Sequence, residues 1–213
     1  MPIAWNDDPP GSSLQIESNL RAILATLGAD APTRVTPTIK TARDWHRAIY
    51  SGVILRVPYY AGEIRDTDPA FPELIGYEVT VGSAFGVGSA DVPDALRAFE
   101  AGMAAITTQL DARLAVGRRP ADPVDLRAVL IAAAIAHGEW IRIHPFANGN
   151  GRTARLWANW VGLRYSLPPF VSLRPRPDDL LYAGAAAASM RGDHDPMVIA
   201  FLEMLSATLR ESP

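Results

Sequence analysis

The chain of 213 residues carries 20 Lys and Arg against 23 Asp and Glu, a net charge of −3, and contains no cysteine. That balance excludes the basic footprint of a nucleic-acid binder. The missing thiols exclude disulfides, thiolate nucleophiles and thiolate metal sites. With 48% hydrophobic and 20% charged residues the composition is that of a globular domain with a substantial core.

The first residues are acidic and lack an apolar run, so no signal peptide is expected. Residues 12–27 read as a first helix, with Ser12 and Gln15 as a capping box and Gly28 as the stop. A proline-bearing connector, 29–40, precedes a second helix over 41–51 with Trp45, Ile49 and Tyr50 on its apolar side. Between 53 and 85 the helical pattern breaks at Pro58, Gly62, Pro69 and Pro72, and Tyr77-Glu-Val-Thr-Val81 alternates like a strand. Helices follow over 92–115 and 124–140, the second capped by Asp122 ahead of Pro123. The alanine-rich 124–140 helix is apolar nearly all round, which predicts the buried centre of a bundle. Further helices are expected over 152–165, 178–190 and 196–210. The longest apolar run, 128–136, is too short to cross a bilayer. The expectation is a cytoplasmic protein with neither a membrane nor a nucleic acid among its partners.

The densest chemistry lies at His144-Pro-Phe-Ala-Asn-Gly-Asn-Gly-Arg-Thr-Ala-Arg155. An imidazole precedes a glycine-rich turn that leads into a helix. Gly149 and Gly151 permit backbone angles that let successive N–H groups curl around an anion, and the helix aims its positive end at the same point. Arg152 and Arg155 share a helix face at i,i+3, each able to grip a phosphate with a fork of donors. Two cations beside backbone N–H groups repel one another unless an anion lies between them. The only lysine is Lys40, so no lysine follows the glycine turn as it would in a P-loop. A base beside a phosphate cradle suits transfer of a phosphorus-centred group to a hydroxyl. His144 is the candidate base, since an imidazole accepts a proton at neutral pH. Phe146 reads as an apolar anchor for the loop. His137 reads as a buried structural histidine or a second catalytic one.

These residues resemble the signature of the Fic family, H-x-F-x-(D/E)-G-N-G-R-x-x-R: His144, Phe146, Gly149, Asn150, Gly151, Arg152 and Arg155 match. The resemblance extends over roughly residues 41–205, through Trp45-His-Arg-Ala-Ile-Tyr50, Ala61-Gly-Glu-Ile-Arg65 and the segment 193–201. It implies an all-α helical bundle around a central buried helix, with a short β-hairpin flap. The expected organisation is an N-terminal segment, 1–40, carrying an inhibitory helix, and a Fic domain over 41–213.

The resemblance also implies an activity: protein adenylyltransfer, moving AMP from ATP to a Ser, Thr or Tyr hydroxyl of a target protein. His144 would be catalytic. Gly149, Asn150, Gly151 and Arg152 would hold the α- and β-phosphates, and Arg155 the γ-phosphate. Gly76, Tyr77, Glu78, Val79, Thr80, Val81 and Gly82 would form the flap that docks the target strand, with residues 66–75 lengthening it. Ser13-Leu-Gln-Ile-Glu17 is similar to the family's inhibitory motif (S/T)-x-x-x-E-(G/N), with Ser18 in the last position. By that resemblance Glu17 would pair with Arg155 in the space of the γ-phosphate; the plain reading is a solvated glutamate. Tyr182 would border the adenine or pack in the core.

One position departs from the pattern. Asn148 stands where the family has a carboxylate for Mg²⁺, so a neutral oxygen replaces a charged one, and Mg²⁺ would rely on the nucleotide's phosphates and water. The same residues would serve removal of AMP from a modified protein, transfer from another nucleotide donor, or a module that holds nucleotide with little turnover. A metallohydrolase is disfavoured, because no carboxylate and histidine set surrounds His144.

Overall fold

The computed structural model describes residues 2–5, 8–81 and 84–211. Seven α-helices appear among them: α1 (Ser13–Asp30), α2 (Ile39–Ile49), α3 (Val92–Asp111), α4 (Pro123–Ile143), α5 (Asn150–Arg164), α6 (Leu180–Ser189) and α7 (Asp195–Glu211). Two short strands, β1 (Thr80–Val81) and β2 (Ala84–Phe85), pair antiparallel with Thr80 opposite Phe85. The fold is mainly α, as expected. No described helix is long and apolar enough to cross a membrane.

Helix α4 is the axis of the bundle and packs against α3, α5, α6 and α7. Its buried alanines, 132, 133, 134 and 136, add little bulk, so neighbouring helices approach closely while Trp140 and Ile143 fill the space near the site. The Asp122 carboxylate accepts the Asp125 N–H at 2.9 Å and starts the helix where the Asp-Pro pair predicts.

Several local expectations differ from the structure. Ser12 does not form a capping box: its backbone is helical, and its hydroxyl donates to the Pro9 carbonyl at 2.6 Å. Gln15 instead donates to Asn19 at 2.9 Å. Gly28 does not stop α1, which runs on to Asp30, because Ile16, Leu20, Ile23 and Leu27 carry a buried face through that turn. Helix α2 begins earlier, with Thr38 and Thr41 exchanging the reciprocal bonds of a cap. The alternating segment 77–81 is a strand only at its end; Tyr77 is buried in the core, so that stretch is an anchor rather than a ladder.

Candidate active site

Helix α4 ends at His144, whose φ of 52° puts it in the left-handed region. The chain turns there, and the ring lines a cavity of about 1070 Å³. The ring Nδ1 lies 2.7 Å from the Ile141 carbonyl. A carbonyl only accepts, so Nδ1 carries the hydrogen and Nε2 is left as the basic nitrogen. Burial pulls the imidazole pKa down to about 4, opposed by the bond to Ile141, with the Arg65 charge pushing the same way as burial. The ring is therefore neutral at pH 7.

Arg65 fixes this geometry. It is fully buried and donates to the carbonyls of His144 (2.8 Å), Ile143 (3.1 Å), Tyr77 (2.8 Å) and Val87 (2.8 Å). One guanidinium thus ties the end of α4 to both sides of the flap. Glu78 lies 3.5 Å from Arg65 and accepts from the Ser89 N–H and hydroxyl at 3.0 and 2.9 Å. Those Ser89 bonds, with Arg65, hold the Glu78 carboxyl below the usual carboxylate range. Of the flap residues, Tyr77 and Glu78 are anchors and Gly76 is an exposed turn with φ of 65°. Val79, Thr80 and Val81 line the cavity, while Gly82 lies outside the described residues.

The turn after His144 is held from below. Phe146 is fully buried and stacks on the His46 ring at 3.8 Å between centroids. His46 Nδ1 accepts the Gly62 N–H at 2.9 Å, so its Nε2 carries the hydrogen and donates to the Asn148 carbonyl at 2.9 Å. Burial drops the His46 pKa to about 3, which keeps that tautomer neutral. The Asn150 side chain accepts the Phe146 N–H and donates to the Phe146 carbonyl at 2.9 and 2.8 Å, a clasp across the turn. His46 and Asn150 are therefore positioning residues of the loop. His46 stood inside the Trp45–Tyr50 run; that it reaches a turn 102 positions away is not legible in local pattern.

The two glycines serve different ends. Gly149 has φ of 76°, and an added Cβ would meet the Tyr50 hydroxyl at 2.6 Å and His46 Nε2 at 2.7 Å. Gly151 is ordinary helix; it leaves room for the Arg155 guanidinium, 3.2 Å from where a Cβ would stand. The expectation of unusual backbone angles at both is thus corrected for Gly151. Helix α5 starts at Asn150, and Gly149 O accepts the Arg152 and Thr153 N–H groups at 3.0 and 3.2 Å. The amides of Asn150 and Gly151 have no partner among the described residues and stand at the positive end of α5 beside the cavity. The Gly149 amide is in use, donating to the Asn148 side chain at 2.6 Å.

Arg152 and Arg155 both line the cavity but are held differently. Arg152 donates to the Tyr50 hydroxyl and pairs with the Asp8 carboxylate. Arg155 is buried and donates to the Leu173 carbonyl at 3.1 Å. Glu17 does not pair with Arg155. It bridges to Arg21 one turn along α1, while Ser13 accepts from Arg174 at 2.6 Å. The i,i+4 neighbour on the same helix satisfies the glutamate locally. His137 is fully buried and meets the Tyr182 hydroxyl at 2.8 Å; Tyr182 belongs both to the core and to the cavity wall.

The residues do not fit a protein-held Mg²⁺. Asn148 offers one neutral oxygen that already accepts from Gly149, and its amide donates to the Trp5 carbonyl at 3.1 Å. No group of three His, Asp or Glu side chains able to hold a metal exists among the described residues.

Known proteins resemble this chain in sequence pattern and in fold. A model of the Fic/DOC family matches residues 36–161, more than half of the chain. The protein adenylyltransferase fic-1 of Caenorhabditis elegans is 51% identical over 39 residues, 18% of this chain and 8% of that protein. The chain thus matches only a small part of that curated relative. A Fic domain containing signaling protein from Bacteroides thetaiotaomicron has TM-score 0.64 and 17% identity, covering 90% of this chain and 69% of that one. The BepC protein of Bartonella tribocorum, solved with bound AMPPNP, has TM-score 0.58 and 15% identity, covering 89% and 86%. These two likenesses concern the fold. The chain belongs to the Fic/DOC family.

Proposed function

We propose that this chain is a protein adenylyltransferase, moving AMP from ATP to a Ser, Thr or Tyr hydroxyl of a protein target. One observation carries the reading: a neutral histidine, its Nδ1 locked to Ile141, shares a cavity with two arginines and with α5 amides that have no partner among the described residues. The target hydroxyl gives its proton to His144 Nε2 as its oxygen attacks the α-phosphorus in line. The bond between the α-phosphorus and the bridging oxygen breaks, and pyrophosphate leaves with that oxygen's electron pair. The Asn150 and Gly151 amides and Arg152 face the charge on the α- and β-phosphates, and Arg155 faces the γ-phosphate. Preset donors of this kind contribute most of the rate enhancement in such transfers. The exposed strand Thr80–Val81 suits docking of the target by strand addition. The nucleotide in BepC and the name of the C. elegans relative support the choice of substrate. Residues 1–40 belong with 41–213 to a single unit, Asp8 of that segment pairing with Arg152, and its location is cytoplasmic.

The test is incubation with ATP labelled at the α-phosphate and a cell extract. Wild type should label protein, and His144→Ala should lose at least about a hundredfold in rate. Equal labelling by both proteins would refute the assignment. A second reading, a nucleotide-holding module with little turnover, is favoured by the engaged neutral oxygen of Asn148. It predicts ATP binding without labelling in either protein.

A further inference from the structure

The cavity holds more positive charge than the signature supplies. Arg174 and Arg176, from the segment between α5 and α6, line it with Arg152 and Arg155. Among the described residues the only acid in its wall is Glu17, which is paired with Arg21. The counterion comes from the N-terminal segment. Asp8 Oδ2 pairs with Arg152 and lies 3.6 Å from Arg174. One carboxylate oxygen of the N-terminal segment is therefore shared by two guanidinium groups that line the cavity. Such a point is where an anion is electrostatically wanted.

We propose that Arg174 is a third phosphate-binding arginine of this pocket, converging with Arg152 on one anion subsite that the Asp8 carboxylate occupies until a phosphate displaces it. The inference rests on the reading that the pocket takes a nucleotide, and adds a residue and a competitor that the signature does not contain.

Trp5, three positions before Asp8, is anchored beside the site. The Trp5 N–H donates to the Tyr77 hydroxyl at 2.9 Å, and the Trp5 carbonyl accepts from Asn148 at 3.1 Å. The Trp5 ring packs on Tyr50 and Tyr60. Trp5 thereby binds the turn that carries the cradle. The carboxylate itself is only half satisfied: Asp8 Oδ1 is buried with no partner among the described residues, and so is Arg155 Nε. A buried charged oxygen without a donor is costly, which makes the carboxylate replaceable by a phosphate presenting more acceptors to the same donors. Arg174 also reaches the Ser13 hydroxyl at 2.6 Å, so it joins the start of α1 to the pocket.

The test is calorimetry with ATP and, separately, with inorganic tripolyphosphate, on wild type, Asp8→Asn, Arg174→Gln and the double variant. Thermal unfolding of each is measured alongside. Asp8→Asn should bind both anions about tenfold tighter, and Arg174→Gln about tenfold weaker, in either Asp8 background. If wild type binds but Asp8→Asn gains nothing, or Arg174→Gln loses stability without losing anion affinity, the subsite proposal falls and the nucleotide reading stands. If neither wild type nor Asp8→Asn binds ATP or tripolyphosphate, the nucleotide reading itself falls.

Discussion

Arg65 is the side chain whose removal should do most damage away from the cavity. It is fully buried, and Arg65→Met keeps most of its apolar stem while deleting the donors to four backbone carbonyls. Each buried acceptor left without a donor costs about 1–3 kcal/mol, so the gross loss is on the order of 4–12 kcal/mol. Two effects offset it. The variant no longer buries a guanidinium, whose pKa is lowered chiefly by that burial, and water can reach some of the carbonyls. A net loss of about 3–5 kcal/mol is expected, the range for breaking a buried charged network. At about 2–4 °C per kcal/mol in a domain of this size, the melting temperature falls by roughly 6–20 °C. Urea unfolding and scanning calorimetry measure the change. Arg65→Lys should recover little, because one ammonium cannot span carbonyls on α4 and both sides of the flap. A loss under about 1 kcal/mol in Arg65→Met, or full recovery in Arg65→Lys, would refute the view that this guanidinium holds the flap to His144.

Gly149→Ala meets both a left-handed φ and contacts inside 3 Å with Tyr50 and His46, so it should cost about 2–4 kcal/mol; an unchanged melting temperature would contradict that crowding. With the His144 pKa at about 4, kcat/KM for labelling should be flat from about pH 8 down to about pH 5 and fall below it as the base protonates; half-loss near the ordinary histidine value of about 6.5 would show a solvated ring. His46 and His137, both held near 3 by burial, refuse protons that the unfolded chain accepts below about 6.5. Their contribution to stability is complete above that value and lost as the pH falls, about 2 kcal/mol each by pH 5, so the urea midpoint should drop between pH 7 and 5; a midpoint indifferent to pH would refute it. Glu17→Gly should leave transfer within about twofold, since Glu17 pairs with Arg21 as an exposed-side i,i+4 bridge; strong activation would mean that the glutamate reaches the phosphates once nucleotide binds.

Much of the helical framework could be read from local pattern. Asp122-Pro123 starts α4 where expected, and its alanine-rich body is the centre of the bundle, because caps and apolar surface act within a few residues. Errors arose where packing overrode local signals. Gly28 lies inside α1 because a buried face carries the helix through it, and 77–79 is not a strand because Tyr77 is drawn into the core.

What the sequence determined by itself was the family signature and the grouping of its residues. His144, the glycine turn and the two arginines are contiguous, so their grouping needs no tertiary contact. Which nitrogen of His144 is basic, which glycine needs a positive φ, and which acid meets Arg152 were decided only by the folded structure. Arg65, His46 and Asp8 lie 79, 102 and 144 positions from their partners, and long-range contacts of that kind leave no periodic trace along the chain.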